Sequence, residues 1–193
     1  MAKNFIEIGS CYFNTLEYLS DRGWNGIVVE PQKEIFDVIN GRFDNVQYFN
    51  AAIANENGEA NLWKFNKEWT DEDPDYHGMA SLFHPSEKIT YDTHTAEYIA
   101  ENVHAERVET MTYARLLELA KPDTVDLLKI DTEGFDYEII KQVQFTGALR
   151  PRIIMVEHKH TPGKVLEEFL IYKGYHVEVE QDNLYAIDIN RCF

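Results

Sequence analysis

Short runs of apolar residues alternate with amphipathic segments along most of the chain. The runs at 4–9, 26–31, 45–54, 125–131 and 151–158 have the length and composition of buried strands. Segments between them repeat apolar residues at the 3.6-residue period of a helix that packs one face on a core. Largely apolar strands that alternate with helices predict a mostly parallel sheet covered on both faces. We therefore predict an α/β, doubly wound fold.

Capping and turn signals place the helices and the hairpins. The predicted helices span 14–23, 32–40, 112–120, 133–145 and 162–174. Asn57-Gly58 is a hairpin signal, which predicts that the third strand pairs with the strand that follows it. The closing strands at 175–180 and 183–189 also resemble a hairpin, so we predict an antiparallel strand at one edge of the sheet.

The periodic pattern is lost between residues 66 and 105, where the sequence is polar, acidic and irregular. A connection of this length is either functional or partly disordered. We predict a single domain, 1–193, with an irregular excursion over the strand ends that recognises an acceptor molecule.

The charge balance argues against a nucleic-acid partner, and the lack of long apolar runs argues against a membrane span. The chain has 18 Lys and Arg against 34 Asp and Glu, a net charge of −16, and shows no basic stripe. Such a chain repels phosphate backbones, so we do not expect a nucleic-acid partner. No run approaches the roughly 20 apolar residues of a membrane span. The first residues lack a signal-peptide pattern, so we expect a cytoplasmic protein without a membrane partner.

Candidate chemistry collects at the predicted strand ends. In doubly wound sheets, ligands bind outside the carboxyl ends of the strands, where the strand order reverses. The stretch LLKIDTEGFDYEII puts Asp131 and Glu133 directly after an apolar strand. Other predicted strands also end in polar or small residues, which are Glu7, Gly9, Glu30, Asn50, Ala51, Glu157 and His158.

Gly9 and Glu30 suggest a nucleoside ligand. Gly9 allows a ligand to approach the backbone, and Glu30 follows 21 residues later at the end of the second strand. That spacing suits a carboxylate that binds both hydroxyls of a ribose. The first loop has a single glycine, which disfavours a pyrophosphate cradle and a nicotinamide oxidoreductase. A nucleoside without phosphates remains, and S-adenosylmethionine is the obvious candidate.

The segment KIDTEGFDYEII resembles the signature of FkbM-type methyltransferases, which use S-adenosylmethionine and mostly methylate hydroxyl groups. Further segments resemble that family in the same order along residues 4–160, namely IEIGS, VVEPQ, YFNAAIANENGEANLW, GMASLF, VETMTYARLL and RIIMVEH. The resemblance implies a Rossmann-like class I methyltransferase fold. It also implies O-methylation of a sugar or another small hydroxylated molecule, with the oligomeric state left open.

The resemblance also implies roles for single residues. Glu7, Gly9 and Ser10 would lie along the methionine part of the cofactor, and Glu30 would bind its ribose. Asn50 and Ala51 would flank the adenine. Asp131 would face the methyl-transfer site, and Ser81 and Glu133 would contact the acceptor.

Several alternatives stay open at this point. Asp131 or His158 could be the general base, or the carboxylates could orient the acceptor or bind the ammonium group of the cofactor. A divalent metal bound by Asp131, Glu133, Glu157 or His158 could instead polarise the hydroxyl as a Lewis acid. A metal-dependent enzyme of another kind, built on the same carboxylate cluster, is a rival hypothesis. FkbM-type proteins usually have a second glycine where this chain has Phe13. A non-catalytic binding module, with Phe13 closing the cofactor site, is therefore a rival hypothesis.

Overall fold

The computed structural model describes residues 3–66, 78–84, 100–160 and 163–190. Its strands are β1 Asn4–Ile8, β2 Asn25–Val29, β3 Val46–Phe49, β4 Ala52–Ile53, β5 Gly58–Phe65, β6 Val103–Met111, β7 Leu127–Ile130, β8 Ile153–Glu157, β9 His176–Glu180 and β10 Asn183–Ile187. Its helices are α1 Glu17–Ser20, α2 Lys33–Ile39, α3 Tyr113–Ala120, α4 Asp136–Ile140 and α5 Gly163–Tyr172.

Seven strands form the main sheet in the order β3-β2-β1-β7-β8-β10-β9. The first five run parallel, while β10 is antiparallel to both β8 and β9. This arrangement confirms the predicted mostly parallel sheet with an antiparallel strand at one edge. The strand order reverses between β1 and β7, which fixes the switch point of the sheet.

Helices cover both faces of this sheet, as the apolar strands require. Alternate residues of β1 enter different cores, because successive side chains of a strand point to opposite faces. Ile6 and Ile8 pack in a cluster with residues of α3, α4 and α5. Phe5 packs in a second cluster with residues of α1 and α2.

A second sheet of three strands, in the order β4-β6-β5, was not predicted. The segment 45–54 divides into β3, in the main sheet, and β4, which pairs in parallel with β6. The predicted hairpin at Asn57-Gly58 is wrong, because β5 pairs antiparallel with β6 and not with its neighbour β4. This pairing also shortens the predicted excursion at its C-terminal end, since β6 begins at Val103.

Two helices are shorter than predicted. Asn14 does not cap α1, which begins only at Glu17. The predicted helix at 133–145 is reduced to α4, which spans Asp136–Ile140. It starts late because Glu133 and Gly134 adopt positive φ angles of 54° and 108°, which a right-handed helix does not accept. The loop thus formed after β7 presents Asp131 and Glu133 at the switch point.

Most of the predicted excursion lies outside the described residues, and its described parts are 78–84 and 100–105. Ser81 forms an antiparallel bridge with Trp63 of β5, so the segment 78–84 lies against the small sheet. Within the described ranges, no helix is both long and apolar enough to cross a membrane.

Candidate functional site

A pocket opens at the carboxyl ends of β1, β2 and β7, where the strand order reverses. The space that it encloses, open mouth included, is about 700 Å³. The residues that line it are Ile8, Gly9, Cys11, Val29, Glu30, Pro31, Gln32, Ala51, Ala52, Ile53, Leu62, Gly78, Ala80, Leu82, Asp131, Thr132, Glu133 and Phe135. The position agrees with the rule that doubly wound sheets bind ligands at the switch point.

Gly9 brings the loop after β1 against the loop after β7. Its φ is +75°, and a Cβ added there would lie 1.7 Å from the carbonyl oxygen of Asp131. Only glycine can therefore occupy this position without moving one of the two loops. The main chain of Asp131 also donates a hydrogen bond to the carbonyl of Ile8, at 3.0 Å. The two loops thus form one continuous floor of the pocket.

Glu30 is buried at the wall of the pocket, and backbone groups fix its carboxylate. Oε2 accepts a hydrogen bond from the backbone N–H of Cys11 at 2.8 Å, and Oε1 accepts one from the backbone N–H of Gln32 at 2.9 Å. Burial raises the pKa of Glu30 to about 7, although both hydrogen bonds favour the ionised form. The carboxylate is held in one orientation with part of its acceptor capacity unused.

Asn50 supports Glu30 from behind. Its amide donates to the carbonyls of Glu30 and Pro31, at 2.9 and 3.0 Å. Ala51 lines the pocket, whereas Asn50 does not. Asn50 therefore holds the turn after β2 in this structure.

Lys129 is buried and contacts two carboxylates. Its Nζ lies 3.1 Å from Oδ2 of Asp131 and 3.4 Å from Oε1 of Glu7. Glu7 and Lys129 are register partners on β1 and β7, so their side chains leave the same face of the sheet. Burial raises the pKa of Glu7 to about 7, and the nearby Lys129 counteracts this shift.

Asp136 shapes the loop that carries Asp131 and Glu133. Its Oδ1 accepts hydrogen bonds from the backbone N–H and the hydroxyl of Thr132, at 2.9 and 3.1 Å. Its Oδ2 accepts one from the backbone N–H of Gly134, at 2.9 Å. A fully buried carboxylate with three donors from its own loop fixes the course of that loop.

Ser81 connects this loop to the small sheet. Its hydroxyl donates to the carbonyl of Glu133 at 2.7 Å and accepts from the backbone N–H of Phe83 at 3.2 Å. The side chain is buried and is not part of the pocket wall, so its contact with an acceptor stays a prediction. Its neighbours Ala80 and Leu82 line the pocket instead.

Glu133, Glu157 and His160 form a second polar group next to the pocket. Each offers a ligand atom, and these atoms lie within 4.8 Å of one another. Burial raises the pKa of Glu133 to about 8, and the negative charge of Asp131 adds to the shift. Burial together with the charge of Glu133 raises the pKa of Glu157 to about 9. Burial also lowers the pKa of His160.

His158 does not reach the pocket wall. Its ring packs toward Gly163 at the start of α5, and Nε2 is enclosed without a hydrogen-bond partner among the described residues. Its backbone N–H donates to the carbonyl of Asp182 at 2.9 Å. The assignment of His158 as general base is therefore not supported by its position.

Phe13 does not block the pocket. Its side chain is completely buried and stacks on Phe5, with centroids 6.0 Å apart, while Phe43 and Tyr48 contact it edge-on. Its φ of +55° explains why a glycine suits the same position. Here the apolar cluster under the loop offsets the cost of that backbone conformation.

The structure brings part of the predicted site together. Five predicted residues line the pocket, namely Gly9, Glu30, Ala51, Asp131 and Glu133. The others lie behind or beside it, namely Glu7, Ser10, Asn50, Ser81 and His158. Glu7 and Ser10 are buried and are not on the pocket wall, so their place along the methionine part of the cofactor stays a prediction.

Three residues that shape the site were not among the predicted site residues, namely Lys129, Asp136 and His160. Lys129 interrupts the apolar run 125–131, which signals a buried ion pair, and Glu7 at the matching place in β1 identifies its partner. The position of Asp136, four residues after Thr132, is a weaker signal that its carboxylate accepts hydrogen bonds from its own loop. The sequence has no signal for His160, because the path of the chain after β8 brings it to Glu133.

Comparison with known proteins gives a family. The sequence matches the model of the methyltransferase FkbM domain over residues 3–181. No curated protein shows significant similarity to it. A similar solved structure is the crystal structure of the N-terminal domain of human METTL16 in complex with SAH, with 13% identity and a TM-score of 0.40.

That likeness covers 97% of this chain but 60% of the METTL16 chain, so this chain spans about three fifths of its length. So distant a likeness carries no argument. The family match covers nearly all of the sequence, and the sheet with its pocket at the switch point has the form expected of a methyltransferase. The chain belongs to the FkbM methyltransferase domain family.

Proposed function

We propose that this protein transfers a methyl group from S-adenosylmethionine to a hydroxyl of a sugar or another small polyol-like molecule. The observation that carries the proposal is the carboxylate of Glu30, held by two backbone N–H groups at the wall of the switch-point pocket. A carboxylate has about four acceptor positions, so each oxygen retains capacity for a ribose hydroxyl.

The rest of the pocket wall fits a nucleoside without phosphates. Ala51, Ile53 and Leu62 offer an apolar surface near Glu30 that suits a planar base. In the described part of the chain, no lysine or arginine lines the pocket. Phosphate groups are usually bound by such cations or by a glycine-rich helix start, so this wall favours a phosphate-free ligand.

S-adenosylmethionine, when bound, supplies an electrophilic methyl group. The protein then has to align the acceptor hydroxyl and accept its proton. We assign the second task to Asp131, which lines the pocket and has a side chain about one third exposed. Lys129 holds one of its oxygens at 3.1 Å, which leaves the other oxygen for the acceptor.

The acidic surroundings also bear on the acceptor. The carboxylate of Asp131 lies on the wall, and the chain as a whole has a net charge of −16. Phosphorylated acceptors and nucleic acids would be repelled, whereas neutral hydroxylated molecules are good hydrogen-bond partners for carboxylates. The family resemblance points to the same class of acceptor.

Calorimetric titration with S-adenosylmethionine and with S-adenosylhomocysteine tests the proposal. We expect 1:1 binding of both by the wild-type protein and at least a tenfold loss of affinity in Glu30→Ala. Asp37→Asn is the matched control, because this exposed acid lies on the neighbouring helix α2 and pairs only with the surface residue Lys33 among the ion pairs described. It should bind as the wild type does.

Failure to bind either ligand would contradict the proposal and favour the non-catalytic binding module. Equal affinity in Glu30→Ala and the wild type would show that the nucleoside lies elsewhere. Methyl transfer from labelled S-adenosylmethionine to a panel of sugars and polyols would then identify the acceptor.

A further inference from the structure

We propose that Glu133, Glu157 and His160 form a binding site for a divalent metal ion at the acceptor side of the pocket. Glu157 is the last residue of β8, Glu133 lies in the loop after the adjacent strand β7, and His160 follows β8 by three residues. The two neighbouring strands therefore deliver three ligands to one point.

The distances suit a shared ion. The three ligand atoms lie within 4.8 Å of one another, and Nε2 of His160 lies 3.2 Å from Oε2 of Glu133. Metal bonds of about 2.1 Å place opposite ligands about 4.2 Å apart. Small side-chain rotations would thus bring all three atoms into one coordination sphere.

The two carboxylates are partly buried in surroundings that carry further acidic groups. Oε2 of Glu157 is enclosed and has no hydrogen-bond partner within the described residues. Asp131 and Asp136 add negative charge around Glu133 and Glu157, while Lys129 and Lys159 supply the opposing charges. Buried polar oxygens are normally hydrogen-bonded or coordinated, and a divalent cation would satisfy this group.

The ligand set indicates the kind of metal. Two carboxylates favour hard cations such as Mg²⁺ and Mn²⁺, and an imidazole favours first-row transition metals. Mn²⁺ meets both preferences, so we take it as the expected ion. Three protein ligands would leave positions open for water or for an acceptor hydroxyl.

Glu133 also lines the pocket, so an ion at this site would face the acceptor. The ion would polarise a coordinated hydroxyl and lower its pKa, a role that rests on the proposed function. The existence of the site does not rest on it, because metal binding can be measured without S-adenosylmethionine.

The test is a titration of untagged, chelator-treated protein with MnCl₂, followed by calorimetry and by loss of the spin-resonance signal of free Mn²⁺. We expect one Mn²⁺ per chain in the wild type and at least tenfold weaker binding in Glu157→Gln and in His160→Gln. The matched control is Glu178→Gln, since Glu178 forms an exposed pair with His176 at 3.3 Å. This variant should bind Mn²⁺ as the wild type does.

Absence of saturable binding by the wild type would overturn the proposal, as would normal binding by either ligand variant. Thermal unfolding of each variant without metal shows whether it is folded, and Mn²⁺ should raise the Tm of the wild type and the control only. If the protein binds S-adenosylmethionine but no Mn²⁺, only the metal site is contradicted. If it binds Mn²⁺ but neither S-adenosylmethionine nor S-adenosylhomocysteine, the metal site stands and the proposed function is contradicted.

Discussion

Asp131 is the residue on which the site converges. Its backbone carbonyl contacts Gly9, its backbone N–H donates to Ile8, and its carboxylate pairs with Lys129. The side chain nevertheless lines the pocket and is partly exposed. A carboxylate fixed on one side and open on the other suits the acceptance of a proton from a bound hydroxyl.

We expect Asp131→Asn to lower kcat by about 10²–10⁴-fold, the usual contribution of general acid–base catalysis. Its affinity for S-adenosylmethionine should change by less than about threefold, because Glu30 carries the proposed ribose contact. His158→Ala is the control and should retain most of the turnover, since His158 is not on the pocket wall. The measurement is the initial rate of methyl transfer to an acceptor that the wild type accepts. Full turnover by Asp131→Asn would refute the assignment.

The pocket floor depends on the loops after β1 and β7, which contact each other with no side chain between them. The contact between Gly9 and the carbonyl of Asp131 sets the distance between β1 and β7 at their carboxyl ends. Any side chain at residue 9 would separate the loops or tilt one of them. The geometry of the pocket floor therefore requires a glycine at residue 9.

Gly9→Ala should accordingly lower the free energy of unfolding and weaken cofactor binding by at least tenfold. Gly41→Ala provides the control, because Gly41 has nearly the same φ, +76°, with nothing within 4 Å of an added Cβ. Its cost should be the conformational penalty alone, roughly 1–2 kcal/mol, and Gly9→Ala should exceed it clearly. Denaturant unfolding and calorimetry measure the two effects, and equal losses in both variants would contradict the close contact.

The elements also show what the sequence could predict. The strands of the main sheet followed from apolar runs, which depend only on local composition. The small sheet did not, because β4 pairs with β6 across an interval of more than fifty residues, and no local pattern encodes that pairing. The helix predicted at 133–145 failed at its start, since the hydrogen bonds of Asp136 override the helical periodicity there.

The candidate site was likewise predictable from the sequence only in part. Glu30, Asp131 and Glu133 could be predicted because strand ends meet at one edge of a sheet. The positions of Ser81 and His158 off the pocket wall could not be predicted, because they depend on how loops fold over that edge. The partnership of Glu133 with His160 depends on the path of the chain after β8, and the order of residues does not reveal it.

For the whole molecule, acidity and burial act together on stability. Glu7 and Glu30 have pKa values raised by burial from 4.5 to about 7. The folded state therefore binds more protons than the unfolded state between these values, and the stability from these two groups falls as the pH rises through about 7. Repulsion within a chain of net charge −16 acts in the same direction and is screened by salt.

We expect the free energy of unfolding to be lower at pH 8 than at pH 6, with a smaller difference in Glu7→Gln, which cannot ionise at residue 7. Glu118→Gln should leave the difference unchanged, because Glu118 is an exposed residue paired with Arg115. Denaturant unfolding at both pH values and at constant ionic strength makes the comparison. If Glu7→Gln does not reduce the difference in unfolding free energy between the two pH values, Glu7 is already ionised in the folded protein at pH 6.

The hydrogen bond from Ser81 to the carbonyl of Glu133 has a consequence for the way such proteins diversify. It anchors the short segment 78–84 to the loop after β7, and the bridge to Trp63 anchors the same segment to the small sheet. Chain on either side of the anchor can lengthen at a small entropic cost while the anchored residues keep their place on the pocket wall. Insertion and replacement beside the anchor can therefore change this face of the molecule, with the residues proposed for methyl transfer left unchanged.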